Sequence, residues 1–93
     1  MFATTPDAYL VTDKNELLVL EVKCPSSCEN LPINVDYLEN GNGYKLSKSR
    51  RGREIYTQIQ FQLFFSKLKK GILFVYTSAD QRIIPIDLKL GFI

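Results

Sequence analysis

Glu16-Leu17-Leu18-Val19-Leu20-Glu21-Val22-Lys23-Cys24-Pro25 is the stretch on which the reading of this chain turns. Four consecutive apolar residues imply a strand buried on both faces, and hence a central position in a sheet. Pro25 stops the strand, because proline has no N–H for the ladder. Side chains alternate along a strand, so Glu21 and Lys23 share one face while Leu20, Val22 and Cys24 point to the other. A buried run that ends in an acid and a lysine on one face is unusual unless something pairs with them.

Ahead of this stretch, Ala8–Thr12 reads as a short strand and Asp13-Lys14-Asn15 as a turn, giving an antiparallel hairpin with Glu16–Lys23. In that hairpin Asp7 lies beside Glu21. Ser26–Leu46 reads as irregular, with Pro32, a turn-like Asn40-Gly41-Asn42-Gly43 and a short helix expected near Asn34–Glu39. Arg53–Lys69 is the main helix expected, free of Gly and Pro and capped by Gly71. Ile55, Ile59 and Leu63 form one stripe, while Phe61, Phe64, Phe65 and Leu68 occupy much of the remainder. So apolar a helix is expected to be covered on more than one side. Ile72–Thr77 and Arg82–Leu88 read as two strands joined at Ser78–Gln81. The order β-β-(irregular)-α-β-β describes a single α/β domain over residues 1–93, with one main helix on a mixed sheet.

Composition narrows the chemistry. The 93 residues contain no histidine, which removes histidine-based triads, histidine nucleases and histidine-containing zinc sites. Two cysteines, Cys24 and Cys28, are too few for a four-ligand zinc site or a secreted disulfide framework, so an intracellular, reducing setting is expected. No apolar run approaches the roughly 20 residues of a membrane span, and no signal-peptide pattern opens the chain. The net charge of +2 conceals a polarised chain. Residues 1–43 carry seven acids against Lys14 and Lys23, whereas residues 44–70 carry eight basic side chains against Glu54 alone. Such a juxtaposition suits a polyanion held near a divalent cation. The plainer alternative is a solvated loop at Lys48–Arg53 and a cationic helix end at Lys67–Lys70.

Two carboxylates and a lysine at one edge of a sheet have a definite chemistry available to them. Mg²⁺ is commonly held by one or two acids together with water and substrate phosphate. It polarises the phosphoryl group and acidifies a bound water, and a nearby lysine can orient that water or balance charge. The alternative is an ordinary surface ion pair worth about 0–1 kcal/mol. E-x-K spacing by itself is common; Pro-Asp ahead of it, the apolar strand leading into it and Cys-Pro ending it narrow the pattern.

At Pro6-Asp7-Ala8, Leu20-Glu21-Val22-Lys23-Cys24-Pro25, Tyr56-Thr57-Gln58-Ile59-Gln60 and Phe74-Val75-Tyr76-Thr77, the chain resembles the PD-(D/E)XK nuclease superfamily. It is most similar to the phage lambda exonuclease and viral-recombinase (YqaJ-like) branch, over roughly residues 4–88. The resemblance implies a restriction-endonuclease-like mixed sheet. It also implies an Mg²⁺-dependent DNA nuclease, with Mn²⁺ as a substitute, acting as an exonuclease in recombination or viral DNA processing. By the same resemblance Asp7 and Glu21 would be metal ligands, joined by the backbone carbonyl of Val22. Lys23 would position or activate the attacking water, and Gln58 would support the lysine, the water or the scissile phosphate. Helical geometry adds Gln62 to the stripe of Gln58 and turns Gln60 about 160° away. Lys45, Lys48, Arg50, Arg51 and Arg53 would contact DNA phosphates, and Tyr37, Tyr44 and Tyr56 are candidates for stacking on bases. Ring-shaped oligomers occur in the family, so DNA and a second copy of the chain are the expected partners.

Two departures stand out. Ala8 replaces the glycine that commonly follows the motif aspartate. Relatives usually carry an upstream helical segment with another acid, whereas this chain begins just before the first motif strand, so a truncated core or one piece of a larger protein is expected. That departure raises the alternative of a catalytically inactive, nuclease-derived DNA-binding module. A third alternative is a structural fragment whose acids form only surface pairs.

Overall fold

The computed structural model describes residues 6–41, 43–89 and 91. The main sheet has four strands in the order β1-β2-β5-β6. These are β1 (Ala8–Val11), β2 (Leu17–Lys23), β5 (Lys70–Tyr76) and β6 (Gln81–Asp87). β1 and β6 pair antiparallel to their neighbours, while β2 and β5 run parallel. The sheet is therefore mixed, and the apolar β2 is one of its two inner strands, as its sequence requires. A parallel pair needs a crossover, and α1 (Arg50–Ser66) supplies it.

The segment before α1 corrects the sequence expectation. Within Ser26–Leu46 lie a 3-10 turn at Ser26–Cys28 and a two-stranded hairpin, β3 (Leu38–Gly41) with β4 (Gly43–Leu46). No helix forms at Asn34–Glu39; residues 36 and 37 turn directly into β3. The hairpin lies against α1 and β6. The loop before it is fastened to the β5–β6 turn. Ile33 N–H donates to Asp80 Oδ2 at 2.9 Å, Thr77 Oγ1 to the Leu31 carbonyl at 2.7 Å, and Ser78 N–H to the Glu29 carbonyl at 3.0 Å.

The helix also begins and ends three residues earlier than expected. Ser49 is its N-cap, accepting from Gly52 N–H at 3.1 Å. Its end is Lys67, in the left-handed conformation at φ 60°, whose N–H reaches the carbonyls of Leu63 and Phe64. Gly71, expected as the cap, is instead inside β5. A Cβ there would sit 3.3 Å from the Val19 carbonyl oxygen and 3.5 Å from Leu63 Cδ2, so the glycine lets strand, strand and helix close together.

The core occupies the space between α1 and one face of the sheet. Ile55, Ile59 and Leu63 from the helix meet Val19, Leu73, Val75, Ile84 and Ile86 from the strands, with Ile33 and Tyr37 closing one end. Ile59 and Leu63 have no exposed surface, and each such side chain contributes about 1.5–3 kcal/mol by burial. The opposite face is also apolar, with Leu10, Leu20, Val22, Ile72, Phe74, Tyr76 and Ile83 projecting from it, and no helix among the described residues covers it. Among the described residues, no helix is long and apolar enough to cross a membrane.

Candidate active site

The pairing of β1 with β2 ends with Ala8 opposite Leu20, which leaves Asp7 just outside the ladder, next to the end of β2 that carries Glu21. Directly opposed residues project to the same face. Parallel pairing then sets Glu21 beside Leu73 and Lys23 beside Val75, and both of those neighbours face α1. Glu21 and Lys23 thus share the helix side of the sheet, at the C-terminal end of β2, while the Asp7 carboxylate lies at the edge of the ladder beside Val22.

Asp7 is exposed, and its Oδ2 accepts the backbone N–H of Val22 at 2.8 Å. The aspartate continues the ladder with its side chain where β1 has ended. A strand residue sends its N–H and C=O to the same edge, so the Val22 carbonyl also faces the Asp7 side. Glu21 is only 4% exposed. A carboxylate that far from water needs donors, and α1 provides them. Gln62 Nε2 donates to Oε1 at 2.9 Å, and Gln58 Nε2 makes a longer contact with Oε2 at 3.5 Å. Gln62, the companion of Gln58 on the helical stripe, therefore makes the closer contact. Gln60 points elsewhere, as expected. It is fully buried and clasps the end of β6, donating to the Asp87 carbonyl at 2.8 Å and accepting from Lys89 N–H at 2.9 Å.

Lys23 opens onto a cleft of about 660 Å³ that it lines with Cys24, Pro25, Asn34, Tyr37 and Arg51. Tyr37 is 8% exposed and belongs to the core, which removes it as a base-stacking platform. Burial raises its phenol above the ordinary range, so it stays protonated at neutral pH. Tyr56 is half-buried against the core, and the side chain of Tyr44 lies outside the described residues.

The five basic residues expected to meet phosphate do not act as one segment. Arg51 joins Lys23 in the cleft. Arg50 and Arg53 line a second groove, of about 470 Å³, with Glu54, Thr57 and Gln58. Lys48 is exposed in the turn before the helix. Lys45 is apart from these, in β4, 3.4 Å from Glu39 and beside β6. Arg50 and Arg51 are in the first turn of α1, which contains no acid, and Arg53 follows them; Glu54, in the next turn, pairs with Arg50 at 3.3 Å and lies 3.8 Å from Arg51. Cations at that end oppose the helix dipole and each cost about 0.3–1 kcal/mol unless an anion meets them.

The helix was expected to be covered on more than one side, and here the structure differs. Phe64 and Phe65 are 50% and 58% exposed, on the side of α1 away from the core. Nothing in a sequence states which of two apolar helix faces meets the sheet until the polar neighbours are placed. Here Gln60 and Gln62 are buried and the phenylalanines are not.

Among the described residues, no three His, Cys, Asp or Glu side chains converge as a metal cage. The donors available are the Asp7 and Glu21 carboxylates and the Val22 carbonyl. That set fits Mg²⁺, which keeps several waters and takes the remaining ligands from substrate phosphate. No family model, no curated protein and no solved structure matches the chain.

Proposed function

We propose that this chain is a restriction-endonuclease-like core of the PD-(D/E)XK type and a metal-dependent DNA nuclease, an exonuclease by resemblance, active in recombination or viral DNA processing. The observation that carries the reading is the buried Glu21, held by Gln62 and Gln58, with Asp7 bonded to the next residue, Val22, and Lys23 one step on along the same face. An ion pair on a solvated strand has no need of two helix amides. A carboxylate that must keep one fixed direction does.

Asp7, Glu21 and the Val22 carbonyl would hold Mg²⁺ or Mn²⁺, which when bound polarises a phosphodiester and acidifies a water. The chain's own residues do the remainder. Gln62 fixes the orientation of Glu21. Lys23, facing the cleft, orients a water and offsets charge gathering on the phosphoryl oxygens. Arg51 in the same cleft, with Arg50 and Arg53 in the adjoining groove, draws in the phosphate backbone. DNA is the proposed partner, and a homo-oligomer is compatible with the family resemblance.

The test uses linear double-stranded DNA with Mg²⁺ or Mn²⁺, comparing the protein with its Asp7→Ala and Lys23→Ala variants. Cleavage should require the metal and fall by about 10²-fold or more in each variant. Cleavage that survives both substitutions would overturn the assignment. Salt-sensitive binding without cleavage would favour the inactive DNA-binding module.

A further inference from the structure

The face of α1 opposite the core has a polarised layout. At 100° per residue, Arg50, Arg53, Glu54, Thr57, Phe61, Phe64 and Phe65 fall on one side of the helix. The phenylalanines form a cluster. The rings of Phe61 and Phe65 are stacked with centroids 6.0 Å apart, and Phe64 meets Phe65 edge-on at 5.4 Å. Half of two of these rings faces water, an exposure that marks a surface used for contact rather than packing.

The charges around this cluster select the contact. Residues 50–70 contain six cations and one acid, Glu54. That acid is taken up locally, 3.3 Å from Arg50 and 3.8 Å from Arg51. Arginines lie at one end of the aromatic cluster, and Lys67 and Lys69 lie beyond the other, both exposed. A second copy packed on this face by its own matching face would oppose cation to cation. An apolar protein segment would gain nothing from the flanking charge. A strand of nucleic acid satisfies both features, with phosphates on the cations and bases on the rings. Duplex DNA hides its base faces in its own stack, so only an unpaired strand can use three phenylalanines.

We propose that the outer face of α1 is a track for single-stranded DNA, in which Arg50 and Arg53 hold phosphates and the Phe61, Phe64 and Phe65 rings stack on unpaired bases. Gln58 links this track to the candidate active site. It lines the groove of Arg50 and Arg53, and its amide contacts Glu21. The distance along the axis from Arg50 to Phe64 is about 21 Å, enough for a short run of nucleotides. The inference rests on reading the neighbouring site as one that acts on nucleic acid, and it names the substrate class as a single strand or a frayed end.

The experiment measures fluorescence anisotropy of a labelled oligothymidylate and of a blunt duplex of equal length, in chelator so that neither is cut. The protein should favour the oligothymidylate. Replacing Phe64→Ala together with Phe65→Ala should weaken that binding at least about tenfold while leaving the salt slope unchanged. Arg50→Gln with Arg53→Gln should lower the slope by about one to two. All four side chains are exposed, and circular dichroism verifies that the variants fold. Unchanged oligothymidylate binding in the aromatic variant overturns the proposal, as does an equal loss on the duplex. So does conversion of a dimer to monomer by that variant with DNA binding intact. The two readings fail separately. Asp7-dependent cleavage with an aromatic variant that binds normally removes the track and leaves the nuclease. The aromatic signature without cleavage in Mg²⁺ or Mn²⁺ removes the nuclease and leaves the track.

Discussion

Gln62 Nε2 donates to Glu21 Oε1 at 2.9 Å, joining the helix to the end of the strand that carries the candidate active site. Both side chains are nearly inaccessible to water, Glu21 at 4% and Gln62 at 1% exposure. This bond lies on the boundary between stability and function, because the same amide that compensates a buried acid also aims it.

Removing the amide alone leaves Glu21 buried with one donor fewer. Gln62→Leu should therefore cost about 1–3 kcal/mol in urea denaturation at neutral pH. Replacing both partners, Glu21→Leu with Gln62→Leu, should recover most of that loss, since no buried polar group is then left behind. A double-mutant cycle with no coupling would show that the bond does not contribute to stability.

Asp7 has a structural task that can be separated from the catalytic one proposed for it. Asp7→Asn keeps an oxygen able to accept from Val22 N–H, so stability should change by less than about 1 kcal/mol. The loss of charge should nonetheless abolish metal-dependent cleavage. Thermal melts beside nuclease assays make the comparison; a variant that is both stable and fully active would exclude Asp7 as a metal ligand.

Asp80 ties the loop before β3 to the β5–β6 turn. The Ile33 N–H donating to its carboxylate, aided by Gln81 N–H and Arg82, holds its pKa below the ordinary 3.8. A depressed carboxylate pKa stabilises the fold above the unfolded value, and that contribution is lost as pH falls through the folded value. Acid titrations of stability should thus fall less steeply below about pH 4 in Asp80→Asn than in the parent chain. Identical acid profiles would contradict the assignment.

Gly52 is in the first turn of α1, where alanine is ordinarily the better helix former by about 1 kcal/mol. A Cβ at this position would lie 2.3 Å from the Ser47 carbonyl oxygen, with Ser47 Oγ at 2.9 Å. The backbone must shift to admit it. Gly52→Ala should accordingly destabilise the protein by about 1–3 kcal/mol in chemical denaturation, against its propensity.

The main sheet and its helix were legible because their signals are periodic. The apolar run of β2 called for an inner strand, and Ile55, Ile59 and Leu63 called for a buried stripe. The β3–β4 hairpin was not legible, since its strands have four residues each and meet at a Gly- and Asn-rich turn that reads equally as loop. The start of the helix was hidden by Arg50, Arg51 and Gly52, a glycine and cations at the positive end of the dipole. For the candidate site, strand alternation brought Glu21 and Lys23 together, and hairpin pairing added Asp7. That Gln62 lies closer to Glu21 than Gln58 depends on how the helix rolls over the sheet, which no spacing rule supplies. The exposed phenylalanines depend on the same roll.

β2 and β5 run side by side, yet about half of the chain lies between them. Parallel partners so distant in sequence come together slowly, because the loop must close before any contact compensates the lost entropy. Glu21 is in β2, and Gln62 is in the crossover helix that this closure folds back onto the sheet. An incompletely folded chain therefore has the acids of the site without their alignment. The proposed activity would follow this closure and would report that the crossover is in place.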